Sequence, residues 1–326
     1  MTETVDINED LILNYDAEVL DTLLRDHTTQ RNIFWATSDY EGLGKGFEYS
    51  SPILPELITG KYIKVIRPRT LKARELQSAR AREMAEVFTP SWVCNAQNNL
   101  IDEAWFGRKD VFNRETKLYD GTPSWETNPD PIVFPEGKTW KDYVRDTRLE
   151  MTCGEAPYLV SLYDTTTGEH IPIERRIGLL DRKLRVVSEN TEKTGDWLEW
   201  AQEAYKSLYA FEWQGDSLLL AREAMIYSFK DYYQHKFGTE PLKKSVKYIA
   251  YIISWNVFQM DGLRCVIPNS CEPETEDLFG NKVKQPCKGC KDGTVHGHNG
   301  IPVLVRDWRV KDNEKQKITF GSLIKN

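Results

Sequence analysis

Hydrophobic and polar positions alternate in one recurring arrangement: a short apolar run closes on a turn bearing an acid or a glycine, and apolar residues at helical spacing follow. The first instance is Arg148-Leu-Glu-Met-Thr-Cys-Gly-Glu-Ala-Pro-Tyr-Leu-Val160. Leu149 and Met151 predict a strand, Gly154 a turn that lets backbone approach a ligand, and Tyr158 to Val160 a fresh apolar run. The second is Leu208-Tyr-Ala-Phe-Glu212-Trp-Gln-Gly-Asp216, a buried strand ending in an acid, followed by a helix over Ser217 to Tyr233. Val246 to Phe258 supplies a third apolar segment, leading to Met260-Asp261-Gly262 as a further strand end. Repeated strand, turn and helix predict βα units, a mainly parallel sheet and an α/β fold.

Elsewhere the patterns are simpler. Val19, Leu20, Leu23 and Leu24 recur at helical spacing behind Asp16 as a cap. Ile33 to Thr37 reads as a strand or loop entry, and Gly42, Gly44 and Gly46 as a flexible segment. Arg74 to Met84 is dense in helix formers, and Gln97 to Phe106 reads as a second helix with Thr89 as its cap and Pro90 in its first turn. Residues 107 to 139, with Asp120-Gly-Thr-Pro123 and Asn128-Pro-Asp-Pro131, read as a long loop. Trp197, Ala201, Ala204, Tyr205 and Leu208 share one helical face.

Composition narrows the class. The chain has 326 residues, 40% of them hydrophobic, enough for a sizeable core and against disorder. No apolar run approaches a bilayer span and the first residues are acidic, so a cytoplasmic, non-membrane protein is expected. The net charge of −7 argues against a generally basic nucleic-acid binder, yet its distribution is uneven. Residues 1 to 60 hold 12 acids against 3 bases, whereas Lys61, Lys64, Arg67, Arg69, Lys72, Arg74, Arg80 and Arg82 follow against only Glu75 and Glu83. That strip is either a solvated helix face or a surface for the phosphates of DNA, with Lys64, Arg67, Arg69, Lys72, Arg74, Arg80 and Arg82 as the contacts.

Of six cysteines, Cys94 and Cys153 stand apart, while Cys265, Cys271, Cys287 and Cys290 fall close together. Cys287-Lys-Gly-Cys290 has the spacing of a zinc knuckle, and the upstream pair completes a tetrahedral thiolate set; His296 or His298 could replace Cys265. Few apolar residues lie between Pro268 and Gly300, so a metal would supply the stability that burial cannot. A redox pair is disfavoured because that chemistry calls for the two thiols at the start of a helix after a strand, whereas Lys291-Asp-Gly-Thr294 follows them here.

Taken in order, Phe88-Thr89-Pro90 before a helix, Glu150-Met-Thr-Cys-Gly154, the strand ending at Glu212 before Leu-Leu-Ala-Arg222, and Asp261 at the next strand end resemble adenine-specific DNA methyltransferases. The likeness is to the modification subunits of restriction systems and covers roughly residues 74 to 263. It implies a Rossmann-like S-adenosylmethionine-dependent core over residues 140 to 264, with a helical, DNA-contacting region over 1 to 139 and a zinc-stapled extension over 265 to 326. In that family Phe88, Thr89 and Pro90 would pack on the methionine end of the cofactor. Glu150, Thr152, Cys153, Gly154 and Glu155 would form its loop, Glu212 would hold the ribose, and Asp261 would stand near the adenine amine.

Glu155 and Pro157 depart from the family's small residue and glycine, and no Asn/Asp-Pro-Pro-Tyr/Phe follows Asp261; Ile267-Pro-Asn-Ser270 comes nearest and lacks the aromatic. Three expectations follow: a DNA methyltransferase whose catalysis a restriction, specificity or other subunit completes, a degenerate relative that binds DNA or regulates, or a zinc-dependent nucleic-acid module.

Overall fold

The computed structural model describes residues 8–72, 77, 80, 82, 89–276 and 281–324. Phe88 and Arg74 lie outside the described residues, as does the helix expected over Arg74 to Met84 apart from Gln77, Arg80 and Arg82. Helices α1 (Glu9–Tyr15) and α2 (Ala17–Leu24) open the chain, capped by the side chains of Asn8 and Asp16. A two-stranded ribbon, β1 (Arg25–Asp26) with β2 (Arg31–Asn32), follows. Beyond it Phe34 forms only an isolated bridge with Pro52, so of the strand or loop entry expected over Ile33 to Thr37 the structure has the loop entry.

Helix α3 (Ser91–Phe106) starts earlier than its apolar spacing suggests. Pro90, not Thr89, is its N-cap, and no side chain of its own caps it. Asp164 Oδ2 accepts from Ser91 N instead, at 3.0 Å. The long loop expected after it contains an antiparallel hairpin, β3 (Asn113–Lys117) with β4 (Pro123–Thr127). Both strands are largely polar and sit at the surface, so they carry no apolar alternation.

The centre is a three-stranded parallel sheet of β5 (Arg148–Met151), β6 (Leu208–Glu212) and β7 (Val257–Gln259), in that order, with α4 (Trp140–Arg145) leading into it. Helices α5 (Leu179–Asn190) and α6 (Thr194–Lys206) join β5 to β6, and α7 (Gly215–Phe237) and α8 (Lys243–Asn256) join β6 to β7. Val246 to Asn256 is thus helical, and only the last apolar residues before Met260 form a strand. Pairing of Glu150 with Ala210 and of Glu212 with Gln259 puts the carboxyl ends of all three strands side by side. The architecture is mixed α/β with small sheets, and no described helix is long and apolar enough to cross a membrane.

Helix α7 is buried along most of its length, including Asp216, Arg222 and Glu223. Arg222 ties its neighbours together by donating to the carbonyls of Leu23, Arg25, Ser254 and Val257, acceptors freed where α2 and α8 end. Gly215 is required at its start, because a Cβ there would stand 2.1 Å from the carbonyl oxygen of Phe34. The N-terminal segment is clamped to the sheet at the same point: Gln259 Nε2 donates to Phe34 O at 2.9 Å and Phe34 N donates to Gln259 Oε1 at 3.0 Å.

One large core cluster runs from Ile12 to Val257. A smaller one of Phe211, Phe258, Met260, Cys265, Ile267, Val303 and Val305 is closed by the hairpin β10 (Leu304–Arg306) and β11 (Lys317–Thr319). Before that hairpin come the ribbon β8 (Glu274–Glu276) with β9 (Lys282–Lys284) and the short helix α9 (Lys288–Asp292).

Candidate functional site

Cys271, Cys287, Cys290 and His298 present one ligand atom each, all within 4.8 Å of one another. His298 Nδ1 lies 3.6, 3.4 and 3.6 Å from the sulfurs of Cys271, Cys287 and Cys290. A tetrahedral zinc with bonds of about 2.3 Å to sulfur and about 2.0 Å to nitrogen requires edges of roughly 3.5 Å between those atoms. The match extends outward, because His298 Nε2 lies 2.8 Å from the carbonyl of Thr294. With its proton there, Nδ1 is left as the lone-pair donor. Gly289 is required between the two cysteines of the knuckle, since a Cβ would come within 2.8 Å of the His298 ring. The Cys287 thiol is lowered, burial opposing and hydrogen bonds from the backbone of Cys290 and Asn299 prevailing. These four residues could hold a metal such as zinc, and a set filled by four protein ligands is a structural one.

Cys265 does not belong to this group. Its side chain is buried in the smaller apolar cluster among Phe211, Met260 and Ile267, and His298 takes the fourth place. His296 contributes no ligand atom to the group.

At the carboxyl ends of the sheet, residues from all three strands meet. Glu212 Oε2 accepts from Gly154 N at 2.8 Å, and its Oε1 accepts from Trp213 N at 2.8 Å and Gln214 N at 3.2 Å. Burial nevertheless raises the Glu212 carboxyl above its ordinary range. Glu150 is buried and accepts from Leu159 N at 3.0 Å and Tyr158 N at 3.4 Å, closing the turn. Thr152, Gly154 and Ala156 have φ of +49°, +55° and +57°, so two non-glycine residues sit in the left-handed region within one turn. Asp261 Oδ1 accepts from Leu263 N at 3.0 Å and Arg264 N at 3.2 Å. Thr89 O accepts from Thr165 Oγ1 at 3.1 Å and from the Cys94 thiol at 3.6 Å, and Cys94 lies close enough to feel the charge of Glu150.

Two of the expected loop residues are turned to other work. Glu155 is buried, with Oε1 accepting from Arg69 N at 2.8 Å and Oε2 from the Tyr163 hydroxyl at 2.5 Å. Cys153 is buried too, and burial pushes its thiol well up. A cavity of about 450 Å³ lined by Arg145, Leu149, Lys206, Tyr209 and Trp308 lies at the opposite, amino-terminal end of the sheet.

Burial raises the Glu150 carboxyl to about 8, the nearby Glu212 adding to the effect. An acid whose folded value lies above its unfolded one contributes stability that is fully present below about 4.5 and lost as pH rises through about 8. Thermal melts at pH 5 and pH 9 are therefore expected to give Glu150→Gln a higher Tm than the wild type at pH 9 only. Equal shifts at both pH values would contradict this.

The basic strip divides. Lys64, Arg67 and Arg82 are exposed and Arg69 is half-buried. Lys72 and Arg80 are not phosphate contacts: their side chains are 4% and 1% exposed, and they lie 3.0 and 2.9 Å from Asp216 Oδ2. Tyr40 donates to the same oxygen at 2.8 Å, and Arg80 also bonds Asp39 at 2.7 Å. Counting charge along the sequence could not find this, because the acid that claims the two cations is 144 and 136 residues away.

Compared with known proteins, the chain matches no protein-family model, no curated protein and no solved structure.

Proposed function

We propose that this chain is a DNA adenine methyltransferase-like protein of a restriction-modification or mobile-element system, binding S-adenosylmethionine on a Rossmann-like core. The observation that carries the reading is the alignment of three parallel strand ends, with the Glu150 to Gly154 turn, Glu212 and Asp261 side by side. Open α/β sheets bind ligands at the carboxyl ends of their strands. A carboxylate at the end of the second strand suits the vicinal diol of a ribose. Its bond to Gly154 N ties that acid to the turn that would face the polar end of the cofactor.

In this reading Thr89 and Pro90, at the start of α3, pack on the methionine end of the cofactor. Lys64, Arg67 and Arg82 remain as phosphate contacts, and the metal centre staples the extension. S-adenosylmethionine supplies the electrophilic methyl group when bound. The chain's own residues bind and orient it.

A second reading is a catalytically degenerate subunit that binds DNA or regulates a partner. It is favoured by the absence of an Asn/Asp-Pro-Pro-Tyr/Phe sequence after Asp261. Labelled methyl groups transferred to DNA by the purified chain would select the first reading. Cofactor binding without transfer, restored by an added restriction or specificity subunit, would select a divided enzyme, and no transfer under either condition the degenerate subunit. Calorimetry should show Glu212→Ala binding S-adenosylmethionine at least tenfold more weakly, since a charge-assisted hydrogen bond is worth about 1.5 to 3 kcal/mol. Unchanged affinity would remove Glu212 from the cofactor site.

A further inference from the structure

The cavity at the amino-terminal end of the sheet combines apolar walls with a charged rim. Leu149 and Tyr209 are paired neighbours on β5 and β6, so both face it from one side of the sheet. Trp308, Ile318, Phe320 and Leu323 of the C-terminal segment supply further walls. Two of the rings are fixed in place by the protein itself. The Tyr209 hydroxyl donates to Arg306 O at 2.7 Å, and Trp308 Nε1 donates to Asn256 Oδ1 at 2.8 Å. Phe320 packs on Phe211 and Phe258, and Trp308 on Tyr251, but among the described residues Tyr209, Trp308 and Phe320 make no ring contact with one another. Leu149 and Leu323 are 44% and 56% exposed, apolar surface that a ligand would cover. The volume of about 450 Å³ lies within the roughly 300 to 1,000 Å³ of sites that take up small molecules.

Charge decides which small molecule. The chain has a net charge of −7, yet the residues lining this cavity have the opposite balance, four bases against two acids. Glu203 is shared by Arg145 at 2.9 Å and Lys206 at 3.1 Å, while Asp307 is taken by Arg309 at 2.9 Å. Arg306 has no carboxylate partner among the described residues. It is buried, and its side chain donates to the neutral oxygens of Gln316, Tyr251 and Asn313. A buried cation with only neutral acceptors keeps part of its desolvation cost, which an anion held nearby offsets. Other hydrogen-bonding groups are scarce in the lining, the Ser207 hydroxyl being bonded already to Lys183 and to the carbonyl of Val144. A heavily hydrated ion such as inorganic phosphate would therefore lose more bonds to water than it regains.

We propose that this cavity binds an amphipathic monoanion, an apolar, ring-bearing body with one carboxylate. The body lies against Leu149, Tyr209 and Trp308, and the carboxylate meets Lys206 within the field of Arg306. The site is at the opposite end of β6 from Glu212 and stands independently of the methyltransferase reading.

The test uses the zinc-loaded full chain and two probes of one shape, naphthalene-2-carboxylate and its neutral amide, titrated by calorimetry. The carboxylate is expected to bind about tenfold more tightly than the amide at low salt, and the advantage to shrink as salt is raised. Leu149→Trp, at an exposed position of an edge strand where tryptophan is well accepted, should fill the cavity and abolish binding of both probes with melting unchanged. Should it lower melting, Leu323→Trp at the other exposed wall gives the same reading. Lys206→Gln keeps the walls and should remove most of the carboxylate's advantage while leaving the amide's affinity as it was.

A wild type that binds neither probe, or binds both equally, overturns the proposal. So does binding that survives both tryptophan variants, or a preference that survives Lys206→Gln. A chain that forms dimers in ultracentrifugation and loses them in Leu149→Trp also overturns it, since the cavity then belongs to a second copy.

Discussion

Chelating the metal is expected to unfold the segment around residues 271 to 300 and to leave the parallel sheet folded. Between Cys271 and Gly300 the described residues are almost all exposed, with Cys287, Gly289 and Gly300 as the buried exceptions, so little apolar surface holds the segment in place. Structural zinc sites in small folds contribute an apparent binding energy of about 10 to 16 kcal/mol near neutral pH, more than any other single interaction here could replace. Elemental analysis should find close to one zinc per chain. Cys287→Ser and His298→Ala should each lower it, and limited proteolysis should then cut within the segment. Cys265→Ser should leave the zinc content unchanged, because Cys265 packs in the apolar cluster and supplies no ligand. Acid should release the metal as the thiolates take up protons, so affinity falls with pH. A metal-free protein with the same protease pattern as the native one would refute the site.

Replacing Asp216 with Ala should cost about 3 to 5 kcal/mol, the usual loss when one partner of a buried ion pair is removed and the other is stranded. Here two cations would be stranded together, Lys72 and Arg80, and Tyr40 would lose its acceptor. Denaturant melts should show the loss throughout the neutral range. Lys72 and Arg80 hold the Asp216 carboxyl well below the usual carboxylate range against the opposing effect of burial. A depressed value means that this stability is present above about pH 4 and disappears only as pH falls toward the folded value, so the difference between variant and wild type should shrink in strong acid. Lys72→Ala should behave as a stability variant of the same kind. Lys64→Ala with Arg67→Ala should instead leave melting unchanged and make DNA binding less steeply dependent on salt, by about 0.9 in log-log slope for each phosphate that no longer meets a cation. A melting loss in the second pair, or none in the first, would contradict the division of the strip.

What the sequence revealed follows from which interactions are local. The turn after β5 and the acid ending β6 were legible, because a glycine at φ +55° in the one case and a helix that follows at once in the other are written within a dozen residues; the facing of β5 was not, since Leu149 and Met151 are exposed and Glu150 is buried, and no α-helix follows its turn before Leu179. The hairpin β3 and β4 was hidden, since its side chains are solvated and its pairing depends on backbone bonds that any residue can make. The knuckle Cys287 to Cys290 was legible from spacing, but the choice between Cys265 and His298 was not. It depends on the chain path that carries Cys265 into the cluster with Phe211 and brings His298 back to the thiols. The fate of Lys72 and Arg80 was equally out of reach, being decided by an acid from the other half of the chain.

The clamp between Phe34 and Gln259 joins residues 225 positions apart, and it sets a timetable for synthesis. At ribosomal rates of about 5 to 20 residues per second, the N-terminal segment waits roughly 10 to 45 s before the residue that receives it has even been made. During that interval Ile33, Trp35 and Ile53, all fully buried in the finished protein, have no sheet to cover them. Nascent chains should therefore be most open to aggregation, and most dependent on chaperones, until the ribosome has passed β7.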